Sequence, residues 1–201
     1  MNRPTLRRAA PLVMLALATA CGSHAIEFDA QAPDVPFIDQ YNPAGRDAYY
    51  DGSEYCGPAV LAGIAKARGQ TGGLEDAALV MLFAEVAATN DQGTTGYGMI
   101  DALDWLGMQT GANAGGDLDW IDGELAAGHD VIANGDFYAV PGREQPGLHS
   151  GHYIAITGVG DGWSVYRVTD PADGSVGSLT DQELENFIVS NPAGGFTISA
   201  W

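Results

Sequence analysis

The sequence contains few positively charged residues and few thiols. Of its 201 residues, only eight are Lys or Arg against 26 Asp and Glu, and Lys66 is the single lysine. Such an acidic surface repels nucleic acids and anionic lipid headgroups, so we expect neither as a partner. The chain has only two cysteines, Cys21 and Cys56, and therefore cannot be a disulfide-rich scaffold.

The chain also lacks an apolar run long enough for a stable membrane-spanning helix. Its short apolar stretch, residues 9–20, follows Arg3, Arg7 and Arg8 and ends in small residues. This pattern is typical of a secretory signal peptide, which we predict over residues 1–20. Cleavage there removes three arginines and no acid, so the net charge changes from −18 to 5 − 26 = −21.

The end of the signal peptide, LATAC at residues 17–21, resembles a bacterial lipobox. In that motif small residues precede a cysteine that is lipidated and becomes the new N-terminus. Ala18 stands where Leu is usual, and ordinary cleavage that leaves a free Cys21 is the alternative. We predict a lipid anchor at Cys21 and a tether over residues 21–35. The protein is then exported and attached to the bacterial cell envelope, in the periplasm or at the outer membrane, by its lipid alone.

Lipidation of Cys21 would leave Cys56 as an unpaired thiol in an exported protein. Exported proteins usually pair their thiols, so an odd one is either buried and inert or reactive. A disulfide between Cys21 and Cys56 is the competing arrangement, although a cysteine on a flexible tail is a poor partner. The stretch EYCGPAVLAGIAKARG at residues 54–69 puts Cys56 directly before an apolar helix.

Hydrophobic periodicity predicts helices first and strands afterwards. The predicted helices run from Cys56 to about Gly69 and over residues 74–89, 97–107 and 118–127, and a capping box opens a further short helix at Thr180. The predicted strands are residues 131–133, 152–158, 163–168 and 196–201, with a hairpin turn at Asp161-Gly162. VPFI at residues 35–38 suits either a strand or docking on the domain. We predict one α+β domain over residues 36–201, with its thiol on the leading helix and a mainly antiparallel sheet after the helices.

A reactive Cys56 needs a group that stabilises its thiolate, because the thiolate and not the thiol is the nucleophile. The positive end of a helix does this, and so does a neighbouring imidazolium. Of the four histidines, His24 lies in the tether, His129 at a helix–strand junction and His149 in a polar loop. We favour His152 because it opens a strand, which fixes its backbone at the edge of a cleft.

His152 and Asp170 are expected to meet, since they lie on either side of the predicted hairpin. The start of one strand faces the end of its partner, so Asp170 can hold the imidazole tautomer. This pairing follows from the pattern, whereas the participation of Cys56 does not. The structural alternatives are a packed histidine and an aspartate that shapes the turn before Pro171.

Three blocks of the sequence are similar to those of a known family. They are CGPAVLAGIAKARG at 56–69, SGHYIAITGVGDG at 150–162 and VYRVTDPADG at 165–174. They resemble the signature blocks of the papain-like cysteine peptidases of the C39-like group, over roughly residues 35–190. The resemblance implies a papain-like fold with Cys56 as nucleophile, His152 as general base and then acid, and Asp170 as its orienting partner. It also implies hydrolysis of a peptide or isopeptide bond through an acyl-thioester.

The sequence departs from this group at the residue that helps to stabilise the oxyanion. The group has a Gln a few residues before the cysteine, whereas Gln40, in VPFIDQ, lies sixteen residues upstream of Cys56. Either residues 41–55 contain an insertion, or the backbone N–H of Cys56 acts with another donor. We predict Gln40 as a member of the catalytic site.

The loops at residues 41–54 and 136–151 are predicted to flank the cleft and to select the substrate. We expect a peptide or protein substrate, no cofactor, no metal and a monomeric chain. An acyltransferase, a cell-wall amidase and a non-catalytic peptide-binding module on the same scaffold are the alternatives.

Overall fold

The computed structural model describes residues 28–29, 34–41, 52–160, 162–173 and 176–201. The predicted signal peptide, Cys21, His24 and most of the tether lie outside these residues. Within the described ranges, every helix is too short or too polar to traverse a lipid bilayer.

Three helices form the first part of the domain, as the periodicity predicts. They are α1 (Cys56–Ala67), α2 (Asp76–Val86) and α3 (Gly96–Trp105). A 3-10 turn at Ser53–Tyr55 leads into α1, and Pro58 lies in its first turn, where the missing N–H leaves no helical hydrogen bond unmade. All residues from Cys56 to Ala65 are buried. The helix that carries the thiol is therefore buried over most of its length.

The rest of the described chain forms a seven-stranded sheet and two further helices. The strands are β1 (Phe28–Asp29), β2 (Thr110–Ala114), β3 (Asp130–Asp136), β4 (Gly151–Gly160), β5 (Val165–Thr169), β6 (Val176–Thr180) and β7 (Phe196–Ala200), and the helices are α4 (Leu118–Ala126) and α5 (Asp181–Val189). The strand order is β2-β7-β3-β4-β5-β6, with β1 paired to β4, and all pairs are antiparallel. The predicted α+β class, helices followed by an antiparallel sheet, is confirmed.

Helices cover the sheet on both faces. Successive residues of β3 alternate between two hydrophobic clusters: Ile132 packs with α1, α2 and α3, while Val131 and Ala133 pack with α4 and α5. A strand that is buried on both faces has a nearly continuous apolar sequence. This explains why the sequence of β4 reads as one apolar run.

The segment at residues 34–41 docks on α1 without forming a strand. Val35 and Ile38 are buried, and Pro36 lacks the N–H that a central strand needs. Of the two possibilities that the sequence leaves open for residues 35–38, a strand or docking on the domain, the structure shows docking. Both β1 and the buried Val35 fall within the predicted tether at residues 21–35, so the folded part of the chain begins before residue 36.

The hairpin of β4 and β5 is present, but its turn extends beyond Gly162. Trp163 has a φ of 73°, and the N–H groups of Trp163 and Ser164 both donate to the carbonyl oxygen of Gly160. Strand β5 consequently begins at Val165, two residues later than predicted. The edge strands β2 and β6 were not predicted.

Candidate active site

The thiol of Cys56 lies at the buried start of α1. The residue is 4% exposed, and its thiol forms no disulfide bond within the described part of the chain. A Cβ atom at Gly57 would lie 2.8 Å from the sulfur of Met99 and 3.0 Å from Thr94, so a glycine lets this end of the helix pack closely. The first N–H groups of a helix have no intrahelical acceptor and carry partial positive charge. Cys56 therefore occupies a position that favours an anion.

The hairpin brings His152 to Asp170. Nε2 of His152 lies 2.8 Å from Oδ1 of Asp170, and their side chains are 3% and 6% exposed. In the register, Ala155 faces Thr169, which puts Asp170 diagonally across from His152 on the same face of the sheet. The contact that the sequence predicts is present.

The imidazole of His152 also interacts with the thiol of Cys56. Because Nε2 faces Asp170, Nδ1 is the nitrogen that remains for the sulfur. Burial lowers the pKa of His152, but the hydrogen bonds and charges of Asp170 and Cys56 outweigh it and raise the pKa to about 9. Burial raises the pKa of Asp170, yet His152, the N–H of Ala172 and Arg143 together hold it below its ordinary value. The arrangement favours an imidazolium at neutral pH.

Two aromatic rings cover the imidazole of His152. The ring centroids of Phe137 and Phe187 lie 5.2 Å and 6.5 Å from that of His152, each nearly perpendicular to it. These rings keep water away from the imidazole. A hydrogen bond in such a low-dielectric setting is stronger than one in water.

Arg143 contacts the same site, although the sequence did not predict it there. Its Nη1 donates to Oδ2 of Asp170 at 3.0 Å and its Nη2 donates to Oδ2 of Asp173 at 2.6 Å. Its Cζ atom lies 4.6 Å above the ring centroid of Phe137. Arg143 belongs to a loop and reaches a residue 27 positions away, so no local pattern in the sequence points to it.

Gln40 is buried between the two segments that carry the site. Its backbone N–H donates to the carbonyl oxygen of Pro171 at 3.1 Å, and its Nε2 donates to that of Gly52 at 3.0 Å. Its Oε1 has no hydrogen-bond partner among the described residues. Gln40 is thus fixed beside the residue that follows Asp170 and beside the turn that leads to Cys56.

Tyr41 and Gly52, the described residues on either side of residues 42–51, are in contact. A Cβ atom at Gly52 would lie 2.7 Å from Cα of Tyr41, and Gly52 has a φ of 91°. The close approach and the left-handed backbone both require glycine. Residues 42–51 connect two points that are in contact, which supports the interpretation of an insertion.

A cleft of about 260 Å³ opens beside Cys56. Its mostly polar lining comprises Ser53, Glu54, Cys56, Asp91, Gln92, Gly93, Thr94, Asn134, Ser150, Gly151 and Tyr153. The loops predicted at 41–54 and 136–151 both contribute to this lining. The third wall, residues 91–94, was not predicted.

The other described histidines pair with carboxylates away from the thiol. Nδ1 of His149 lies 2.6 Å from Oδ2 of Asp136, and Nδ1 of His129 lies 2.6 Å from Oε2 of Glu124. Of the described histidines, His152 is the one whose interaction with Cys56 the structure shows. Across the described part of the chain, no three His, Cys, Asp or Glu side chains are arranged to hold a metal ion.

Comparison with solved structures finds the same fold in peptidase domains. The peptidase domain of Streptococcus ComA, a bifunctional ABC transporter involved in quorum sensing, is 22% identical, with a TM-score of 0.55 over 83% of this chain and 97% of that chain. A protein of Bacillus anthracis described as a C39-like peptidase is 15% identical, with a TM-score of 0.59 over 84% and 95%. A double glycine motif protease from an AMS/PCAT transporter, solved in complex with its leader peptide, is 15% identical, with a TM-score of 0.56 over 88% and 98%.

The sequence itself matches a family model. No protein of curated function matches the chain, but the model of the Peptidase C39 like family matches residues 33–190. This range contains Gln40, Cys56, His152 and Asp170. The match and the similar solved structures together confirm the resemblance, the papain-like fold and the enzyme class, a cysteine peptidase and hence a hydrolase. The chain belongs to the Peptidase C39 like family.

Proposed function

We propose that the protein hydrolyses peptide or isopeptide bonds in the cleft beside α1, with Cys56, His152 and Asp170 as its catalytic residues. One observation carries this proposal: the imidazole of His152 lies 2.8 Å from the carboxylate of Asp170 and also interacts with the thiol of Cys56. A peptide substrate is supported by the related AMS/PCAT protease, whose structure contains a leader peptide.

In the first half of the reaction, the thiolate sulfur of Cys56 attacks the carbonyl carbon of the substrate. The new C–S bond leaves a negative charge on the carbonyl oxygen. When this intermediate collapses, the C–N bond breaks and His152 gives its proton to the departing amine. A pKa of about 9 for His152 supports this role, because the imidazolium carries that proton at neutral pH.

In the second half, a water molecule releases the acyl group from the enzyme. His152 accepts a proton from the water while the water oxygen attacks the thioester carbon. The C–S bond then breaks, the acid product leaves, and the thiolate and imidazolium are restored. Asp170 keeps Nδ1 directed at the sulfur and stabilises the positive charge on the ring.

The oxyanion would be bound by the backbone N–H of Cys56 and by the side-chain amide of Gln40. Nε2 of Gln40 uses one hydrogen for Gly52 and has a second available. Loss of one oxyanion donor typically costs about a hundred- to a thousandfold in rate. We expect Gln40→Ala to lower kcat by about a hundredfold, and an unchanged kcat would remove Gln40 from the catalytic site.

The proposal can be tested by digesting a peptide library with the full chain in ¹⁸O-labelled water and analysing the products by mass spectrometry. Hydrolysis gives new carboxyl termini that carry one ¹⁸O atom. Cys56→Ser should abolish them, whereas the matched variant Cys21→Ser should keep them. Peptides that bind without cleavage would favour the binding module instead. Products joined to a second amine would favour the acyltransferase.

We further propose that the protein is exported and anchored by a lipid on Cys21. The support is the arginine-rich start, the short apolar stretch and the LATAC motif at 17–21. A fatty-acid analogue supplied to bacteria that produce the full chain should label the wild type and leave Cys21→Ser unlabelled. Absence of label on the wild type, or label retained by the variant, would contradict the anchor.

A further inference from the structure

Both carboxylate oxygens of Asp170 accept hydrogen bonds. Oδ1 accepts from Nε2 of His152 at 2.8 Å and from the N–H of Ala172 at 2.9 Å, while Oδ2 accepts from Nη1 of Arg143 at 3.0 Å. The side chain of Asp170 is only 6% exposed, so loss of a donor leaves a nearly buried carboxylate oxygen without its partner. The orientation of this carboxylate therefore depends on Arg143.

Arg143 is itself fixed by three contacts. Its guanidinium bridges Asp170 and Asp173, it lies over the ring of Phe137, and the side chain is 14% exposed. The planar fork of a guanidinium can bond two carboxylates at once and can stack on a ring, which an ammonium group cannot do equally well. Arg143 also separates two carboxylates that would otherwise repel each other.

Phe137 links this arrangement to the base. Its ring contacts the guanidinium of Arg143 and also the imidazole of His152, 5.2 Å away at an interplanar angle of 89°. The loop that carries Arg143 thus contacts both members of the His152–Asp170 pair.

We propose that Arg143 is a positioning residue, which fixes the Asp170 carboxylate in the orientation that His152 requires. The inference rests on the proposed function of the triad. Without Arg143, Oδ2 of Asp170 loses its donor and the carboxylate is free to turn. The bond from Oδ1 to His152 then weakens, and the imidazolium is less stabilised.

The charged groups around this contact are few. Cys56 of α1 and Asp170 after β5 are the groups that act on the proton affinity of His152, while Phe187 of α5 contributes an uncharged ring. Arg143 and His152 are the cations that act on Asp170. Replacing Arg143 therefore alters the pKa of His152 chiefly through its effect on Asp170.

The test is an NMR titration of the full chain with labelled histidine, comparing the wild type with Arg143→Gln, Arg143→Lys and a matched control. The control is Arg68→Gln, because Nε of Arg68 lies 2.7 Å from Oδ2 of the buried Asp130, away from the cleft. The signal of His152 is identified by its loss in His152→Gln.

We expect Arg143→Gln to lower the pH at which His152 loses its proton by about one unit, because a loosely held Asp170 stabilises the imidazolium less. With a peptide substrate, kcat should fall about tenfold to a hundredfold while KM stays within about twofold. Arg143→Lys should recover part of both effects. Arg68→Gln should leave the titration and kcat unchanged, even if it unfolds at a lower temperature.

An unchanged titration of His152 in Arg143→Gln would overturn the positioning role. A shift to higher pH would also overturn it, since it would mean that the cation acts only by weakening the charge of Asp170. The titration does not depend on a substrate. A protein that hydrolyses no peptide but shows the expected shift would therefore contradict the proposed function and leave this inference standing.

Discussion

Two His–Asp pairs lie at the same end of the sheet and differ in what surrounds them. The ring nitrogen lies 2.8 Å from the carboxylate in His152–Asp170 and 2.6 Å in His149–Asp136. The side chain of His152 is 3% exposed, however, and that of His149 is 49% exposed. His152 also interacts with the thiol of Cys56.

The carboxylates of the two pairs also have different tasks. Asp136 accepts from the backbone N–H groups of Tyr138 and Ser150 in addition to His149, so it holds the two ends of one loop together. Burial raises the pKa of Asp136, but these donors lower it below its ordinary value. A short His–carboxylate contact therefore does not identify a catalytic pair. What distinguishes His152–Asp170 from His149–Asp136 is its burial and its interaction with the thiol of Cys56, and on these the proposed catalytic role rests.

The largest difference between the pairs should appear when the histidines are replaced. We expect His152→Ala to lower kcat/KM by about a thousandfold, because the thiol loses its acid and base. His149→Ala should stay within about threefold of the wild type, since this imidazole is half exposed and touches no reacting atom. Both are measured on the same peptide by initial rates. Equal losses of kcat/KM in His152→Ala and His149→Ala would contradict the distinction between the two pairs.

Replacing the aspartates should separate activity from stability. Asp170→Asn should lower kcat by about a hundredfold, because the amide cannot stabilise the imidazolium as a carboxylate does. Asp136→Asn should instead lower the free energy of unfolding by about 1–3 kcal/mol, since charge-assisted bonds to two backbone N–H groups are weakened. Rates per folded molecule, together with urea unfolding curves, distinguish these outcomes. A catalytic loss in Asp136→Asn at full folding would contradict the assignment.

The smallest predicted effect is a shift in the pH dependence. Since the pKa of His152 is raised to about 9, kcat/KM of the wild type should decline as the pH rises through about 9, where the imidazolium is lost. In Asp170→Asn this decline should move to lower pH. Burial lowers the pKa of His152, and the variant lacks the carboxylate charge that raises it. His149→Ala should leave the decline in place. A wild-type decline near pH 6.5 would mean that Asp170 does not raise the pKa of His152.

The elements with strong local signals could be predicted from the sequence. Pro58 and the apolar residues after it mark α1, and Thr180 with Glu183 forms the capping box that opens α5. The contact of His152 with Asp170 could be predicted because a hairpin fixes which residues face each other. These features depend on neighbours in the chain or on one simple pairing.

Features that depend on distant contacts could not be predicted. Strands β2 and β6, with the sequences TGANA and VGSLT, contain few residues that favour strands, and pairing with β7 and β5 determines their conformation. The contact of Arg143 with Asp170 depends on the path of a loop. The closure of the chain from Tyr41 to Gly52, which brings Gln40 toward the site, depends on packing that no short window of sequence contains.

Coverage of the sheet on both faces has a consequence for the order of events during synthesis. Cys56 belongs to α1 on one face, whereas His152 packs against Phe187 of α5, which covers the other. During translation Cys56 is synthesised early, whereas Asp170 and α5 are synthesised late. Until the last strands and α5 have docked, the growing chain carries an isolated thiol without its imidazole and carboxylate. A nascent chain therefore lacks the arrangement that the proposed cleavage requires.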